Sequence, residues 1–376
     1  MKINILQGAF FPVPALRGSA IEKAWDTLGQ SFANQGHQVT HISRKCDGLP
    51  SSEYIGNVQH IRVPGYDAVS NILFLKLKEF FYVLRAKKVL LEADILITHA
   101  FWAPILLPKA KFGRIYVHVG RYPKGQLRFY KKAACFQVPT NAIARAVQNE
   151  IKDRNKQISV LPYPLKWKVN SKPNYLERDF KILYLGRIHP EKGITELVHA
   201  FRNISPSIRK QWKLHLRGPW KTEQGGAGKK YLDYIKKISN ECNADIEIHS
   251  PFFSDKEIKG ELESTKVFVY PSRAERGETF GLSVLEAMSC GCVPLVSSLD
   301  CFADFVKEEE TGYIFNHKSK DPPKSFTAVF SKVLKSESKN TLISGSCIEL
   351  AKEFEVEKVS KRYLMDFSKL LSNKND

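Results

Sequence analysis

The sequence predicts an α/β chain made of two Rossmann-like halves, each a parallel sheet with helices on both faces. Three observations predict it. The chain has 376 residues, more than one ordinary compact domain holds and about right for two. Short apolar runs alternate with longer helical stretches, the rhythm of βαβ units. The rhythm breaks once, at the polar stretch 166–178, and then begins again.

In the first half the expected strands are 3–7, 38–43, 94–98 and 114–119, with a helix over 21–35 that Gly36 ends. In the second half they are 181–185, 213–216, 245–249, 267–270 and 293–296, with a helix from 194 to about 204. A last helix covers about 356–371. The domain reading is therefore 1–165 and 171–355, with 356–376 expected to pack back on the first domain. Ligands of such sheets sit beyond the carboxyl ends of the strands, and two such domains facing each other make a cleft.

Composition bounds the function classes. Apolar residues make up 43% of the chain, enough for two cores, and no run of eighteen is free of charge, so no transmembrane helix is expected. Asn4, Gln7, Gly8, Pro12 and Pro14 interrupt the first apolar run, which reads as a buried strand rather than a signal peptide. The seven cysteines are scattered, without zinc-like pairing, and fit a cytoplasmic chain. The net charge is +19 and unevenly placed: residues 1–170 hold 25 Lys+Arg against 10 Asp+Glu, and residues 171–376 hold 33 against 29. That excess asks for an anionic partner on the first half.

The most informative segment is 271–291. It follows an apolar strand, turns at Phe280-Gly281, and enters a helix from about Leu282 that Gly291 ends. The amides of Gly281, Leu282 and Ser283 lie at the positive end of that helix, a natural diphosphate site. Glu278 stands just before the helix and Glu286 about a turn inside. Both are carboxylates able to accept sugar or ribose hydroxyls. Two solvated glutamates flanking an amphipathic helix is the plain alternative. A second segment, Leu183 to Gly193, reads strand, turn, helix start, and puts Arg187 and Lys192 at a strand's carboxyl end. Cations there can neutralise a departing diphosphate; ordinary exposed turn residues are the alternative.

Together these segments resemble a known family. Glu278-Thr-Phe-Gly-Leu-Ser-Val-Leu-Glu286 is similar to the E-x7-E motif of retaining glycosyltransferases in family four of the GT-B class, and Gly186-Arg187 with Lys192-Gly193 resembles that family's G-R-x-x-x-x-K-G element. The resemblance implies a GT-B fold and a nucleoside-diphosphate sugar as donor, with no cofactor and no metal. Glu278 would hold donor-sugar hydroxyls, Glu286 the ribose, the Gly281 and Leu282 amides the phosphates, and Arg187 and Lys192 the pyrophosphate charge. Glu275 is a rival to Glu278 that lacks the spacing. In the first half, Gly18 matches the family's Gly-rich loop, although Ser19 stands where a second Gly is common. His118 resembles its strand-end histidine, with His99 a weaker candidate.

The reading is a retaining, metal-independent hexosyltransferase acting on a glycan or lipid-linked acceptor in cell-surface polysaccharide or glycolipid synthesis. Alternatives are a GT-B sugar phosphorylase and a non-enzymatic protein binding an anionic polymer. Nucleic acid is not expected. The stretch 121–132 interleaves basic and aromatic residues, and 73–91 has the composition of a basic amphipathic helix, so a peripheral position on the inner face of the cell membrane is expected. The stretch 225–230 mimics a P-loop but has Glu223 and Lys230 where Gly and Ser/Thr are required.

Overall fold

The computed structural model describes residues 1–372 apart from 15–19, 70, 152, 154, 170–174, 243 and 253. The chain divides into two compact units, Met1–Lys166 with Val356–Asp376, and Trp167–Glu355.

The first unit is built on an eight-stranded sheet. Its spatial order is Ser52–Ile55, Val58–Val63, Gln38–Arg44, Lys2–Leu6, Ile95–Thr98, Arg114–His118, Ala133–Val138, Gln157–Val160. Every pairing is parallel except Ser52–Ile55 with Val58–Val63. The strand order reverses between Lys2–Leu6 and Ile95–Thr98, which opens a crevice at their carboxyl ends. The Lys2–Leu6 strand is apolar because both its faces are covered.

The helix Val356–Ser372 completes one of this unit's cores. Tyr363 and Phe367 pack edge-on against Trp25, Phe32 and Tyr116. The Tyr116 hydroxyl donates to Asp366 at 2.6 Å. Burial of Val359, Tyr363, Phe367 and Leu370 contributes roughly 2 kcal/mol per side chain, so the helix belongs to the unit energetically as well as by contact.

The second unit has six strands, all parallel, in the order Ile246–His249, Lys213–Arg217, Asp179–Leu185, Thr265–Tyr270, Val293–Ser297, Tyr313–Phe315. The first-formed strand in sequence lies centrally, and the order reverses between Asp179–Leu185 and Thr265–Tyr270. Helices cover both faces with explicit starts: Ser254 and Glu257 form a reciprocal capping box, and Asp321 accepts from the Lys324 amide.

The expected strands are present, most within two residues of the expected limits. Five further strands were not foreseen: the pair 52–55 and 58–63, the strands 133–138 and 157–160, and Tyr313–Phe315, a short edge of the second sheet. The helix expected over 73–91 is Ile72–Val89, opened by Asn71, whose side chain accepts from the Leu73 and Phe74 amides. Its inward face is narrow. Only a narrow face, Glu79, Tyr82, Val83 and Ala86, is buried. Ile72, Leu73, Phe74, Leu77, Phe81 and Leu84 are 36% to 77% exposed.

Candidate functional site

In the second unit the reversal of strand order brings two loops together. The strand Asp179–Leu185 runs into Gly186 and Arg187, then a 3-10 turn over Pro190–Lys192. Gly193 closes that turn in the left-handed region at φ 72°, and a Cβ there would overlap the Pro271 carbonyl oxygen. The turn therefore sits directly against the end of the neighbouring strand Thr265–Tyr270, from which Glu278 follows.

The consequence is a buried ion pair. Lys192 Nζ lies 2.6 Å from Glu278 Oε2, with side chains 5% and 12% exposed. The Tyr270 hydroxyl donates to the same oxygen at 3.1 Å. Burial, then the Glu278 charge, push the Tyr270 hydroxyl well above its ordinary range, so it stays a donor. Lys192 also lies 5.5 Å from the centre of the Tyr270 ring, which stacks at 5.9 Å on Tyr184. Tyr184 in turn donates to the Arg187 carbonyl at 2.7 Å. Arg187 is more open: its guanidinium donates to the Gly225 carbonyl at 2.7 Å and pairs with Glu191 at 2.8 Å.

The glutamates and the helix have distinct settings. Gly281 caps Leu282–Ser289 with φ 86°, and a Cβ there would overlap the Phe302 ring. The glycine is thus required by the turn and by Phe302, a reason additional to ligand approach. The first amides of Leu282–Ser289 have no acceptor within the helix. Glu286 lies one turn in and is 6% exposed. The rival Glu275 is otherwise engaged, with His317 at 2.7 Å and Lys318 at 2.8 Å. Burial raises its pKa, but those two bonds outweigh it and hold the carboxyl below its usual range.

So the structure brings Arg187, Lys192, Glu278, Gly281, Leu282 and Glu286 to the carboxyl ends of the two strands flanking the reversal. Tyr270 and Glu191 belong with them and were missed by sequence reasoning. Tyr270 read as the last apolar residue of a strand, and only its hydroxyl marks it. The stretch 225–230, discarded as a P-loop, supplies the carbonyl that orients Arg187.

The first unit has its own cavity of about 350 Å³ at the reversal of its sheet, lined by Gly8, Glu22, His99, His118, Gly120 and Arg121 among others. His118 ends the strand Arg114–His118. Its Nδ1 lies 2.5 Å from Gln137 Oε1 and its Nε2 3.0 Å from the Tyr163 hydroxyl. Burial pushes its pKa down to about 3, with the Gln137 bond opposing, so the ring is neutral at neutral pH. His99 is the more open of the two; its Nε2 accepts from the Gly8 amide at 3.1 Å and lies 3.4 Å from Glu22 Oε1. Gly18 and Ser19 lie outside the described residues.

Residues 166–344 match the family model described as Glycosyl transferases group 1. Over that segment, just under half of its length, the chain is similar to that glycosyltransferase family. Among curated relatives, the lipopolysaccharide 1,2-N-acetylglucosaminetransferase of Salmonella typhimurium is 31% identical over 144 residues, 37% of this chain and 36% of that protein. The serotype-specific mannosyltransferase WbdA of Escherichia coli is 26% identical over 157 residues, 41% of this chain and 18% of that protein. The chain thus spans well under half the length of the curated relatives it matches. Among solved structures, sucrose-phosphate synthase from Thermosynechococcus elongatus superimposes with a TM-score of 0.79 at 18% identity, covering 99% of each chain. Alr3699/HepE of Anabaena, described in complex with UDP and glucose, gives 0.70 at 15% identity, covering 98% of this chain and all of that one. At such identities the likeness is one of fold, and the fold is GT-B.

Proposed function

We propose that the chain transfers a sugar from a nucleoside diphosphate to a glycan or lipid-linked acceptor with retention of the anomeric configuration. The observation that carries this reading is the Lys192–Glu278 pair held at the strand reversal beside Arg187 and the Leu282–Ser289 amino end. A diphosphate between those amides and the two cations has its charge met from both sides. Glu278, polarised by Lys192 and Tyr270, accepts sugar hydroxyls, and Glu286 accepts from the ribose. The cations stabilise the leaving diphosphate, which takes the proton of the attacking acceptor hydroxyl on the same face. No enzyme base and no divalent ion are needed for that step. Positioning and charge stabilisation supply the rate. The Salmonella and E. coli relatives support a role in building surface polysaccharide or glycolipid.

The acceptor side is the first unit, through its cavity with His118 and His99. The exposed stripe Leu73, Leu77, Phe81 and Leu84, spaced along one helix face and followed by Lys87 and Lys88, fits a peripheral position on an anionic membrane. No described helix is long and apolar enough to cross one.

The test is a panel of nucleoside-diphosphate sugars read by thermal shift, followed by turnover without added Mg²⁺ or Mn²⁺. One donor should raise the melting temperature, and NMR of the product should show the donor's anomeric configuration. Absence of binding by every donor, or an inverted product, overturns the reading.

A further inference from the structure

Three residues far apart in sequence converge inside the first unit. His41 lies on Gln38–Arg44 and His60 on Val58–Val63, and the parallel register places them directly opposite each other. Their rings project from the same face and stack with centroids 5.3 Å apart. The helix Ala20–Asn34, which carries Asp26, packs on that sheet through Trp25 and Leu28 against Val39 and Val58. It approaches closely at Gly29, where an added Cβ would stand 4.0 Å from His41 Nδ1. One ligand atom each of Asp26, His41 and His60 lies within 4.8 Å of the other two.

Both histidines are fully buried. Among the described residues, His41 Nδ1 and both ring nitrogens of His60 have no hydrogen-bond partner. A buried polar group left unmade costs about 1–3 kcal/mol, and three such nitrogens in one cluster are an expensive arrangement unless something fills it.

We propose that Asp26, His41 and His60 form a three-ligand binding site for one divalent transition-metal ion of the zinc type, its remaining position left to water. Two imidazoles and a carboxylate are a donor set that suits this ion. Tetrahedral bonds of 2.0–2.1 Å set neighbouring ligand atoms about 3.3 Å apart, so small side-chain rotations close the cluster. Gln7 supplies the outer support. Its Nε2 lies 2.7 Å from His41 Nε2, while its Oε1 has no partner. Exchanging the two amide atoms lets Oε1 accept from His41 Nε2–H. That leaves the Nδ1 lone pair facing the helix, as the outer partner of a metal-bound histidine does. The opposing charge nearby is Arg62, and Glu53 meets it at 2.6 Å. The ion would pin the helix whose Glu22 lines the cavity beside His99.

A second cluster, His215, Glu247 and His249, differs in that its groups are half-buried and each histidine already faces a carboxylate at ion-pair distance, although His215 Nδ1 and His249 Nε2 make no hydrogen bond among the described residues. His249 lies 3.0 Å from Glu247 and His215 3.4 Å from Glu261. It serves as the control.

The full chain, stripped with EDTA and desalted, is titrated with ZnCl₂ by calorimetry and by melting temperature. Co²⁺ is then added and the visible spectrum recorded. The expected result is one saturable equivalent of Zn²⁺, a rise of several degrees in melting temperature, and Co²⁺ bands of tetrahedral intensity. Asp26→Asn and His60→Gln should each lose that equivalent, and His249→Gln should keep it. No saturable equivalent in the unmodified chain overturns the proposal, as does undiminished binding by both Asp26→Asn and His60→Gln, or loss in His249→Gln alone. Should the substituted chains fail to fold, the Co²⁺ spectrum of the unmodified chain decides: octahedral, weak absorption counts against the site.

Discussion

Lys192 and Glu278 are 86 positions apart in the chain, and their charged atoms meet at 2.6 Å behind a shared tyrosine. Each neutralises the other where little water reaches, their side chains being 5% and 12% exposed. Removing one alone leaves an uncompensated buried charge, which typically costs 3–5 kcal/mol. Lys192→Met and Glu278→Gln should therefore each lower the urea midpoint, and the double substitution should recover much of the loss. Donor turnover should fall by roughly 10²–10³ in all three and should not recover in the double variant. A double variant that regains turnover along with stability would assign the pair to the fold alone.

Tyr270→Phe tests the finer arrangement. It removes one neutral donor to Glu278 and leaves Lys192 in place. One such hydrogen bond is worth about 1 kcal/mol, so kcat/KM for the donor should fall by roughly five- to tenfold. Steady-state kinetics would show this as a rise in donor KM more than a loss of kcat.

Gly193→Ala strikes the same pocket through the backbone. A left-handed residue that must also avoid the Pro271 carbonyl has no room for a methyl. The expected cost is about 1–3 kcal/mol, visible as a lower melting temperature. Lys192, the preceding residue, should lose its register with Glu278, so turnover should fall further than stability alone explains.

His118 gives a pH signature. Its pKa falls from 6.5 in the unfolded chain to about 3 in the folded one, so below pH 6.5 the unfolded state binds the extra proton. Its contribution to stability is complete above pH 6.5 and is lost as pH falls towards 3, with a slope of up to about 1.4 kcal/mol per pH unit. Denaturant unfolding between pH 7 and pH 4 should show a shallower decline in His118→Gln than in the unmodified chain. Equal slopes would mean that the ring is protonated in place.

Vesicle flotation tests the membrane reading of the helix Ile72–Val89. Leu73→Ser, Leu77→Ser and Phe81→Ser together should abolish association with vesicles containing phosphatidylglycerol while leaving the melting temperature nearly unchanged, since all three side chains are exposed. Undiminished flotation by the triple variant would exclude this face.

The second unit was the more legible half because its signals are local. Gly281, Glu278 and Glu286 lie within nine consecutive residues, as do Arg187 and Lys192 within six, so strand, turn and helix start could be read directly. That Lys192 touches Glu278 was not legible, because strand order decides it and no short spacing encodes strand order. Tyr270 escaped for a related reason: in an apolar run its ring dominates and its hydroxyl is silent. In the first unit, the pair 52–55 and 58–63 is too polar at Glu53, Gln59 and Arg62 to resemble a buried strand. The stretch 73–91 was legible as a basic amphipathic helix, but the narrowness of its buried face was not, because hydrophobicity alone does not tell which face finds a partner. Asp26, His41 and His60 fall outside every metal-ligand spacing rule, since register across strands and not chain distance brings them together.

The helix Val356–Ser372 also bears on how the chain is made. Its tyrosine and phenylalanine complete a core begun by Trp25 and Phe32, yet the whole second unit is translated between them. On the ribosome, the second unit can finish its sheet while the first still exposes a greasy seam. One core of the half that starts first is thus closed only after the other half has been made.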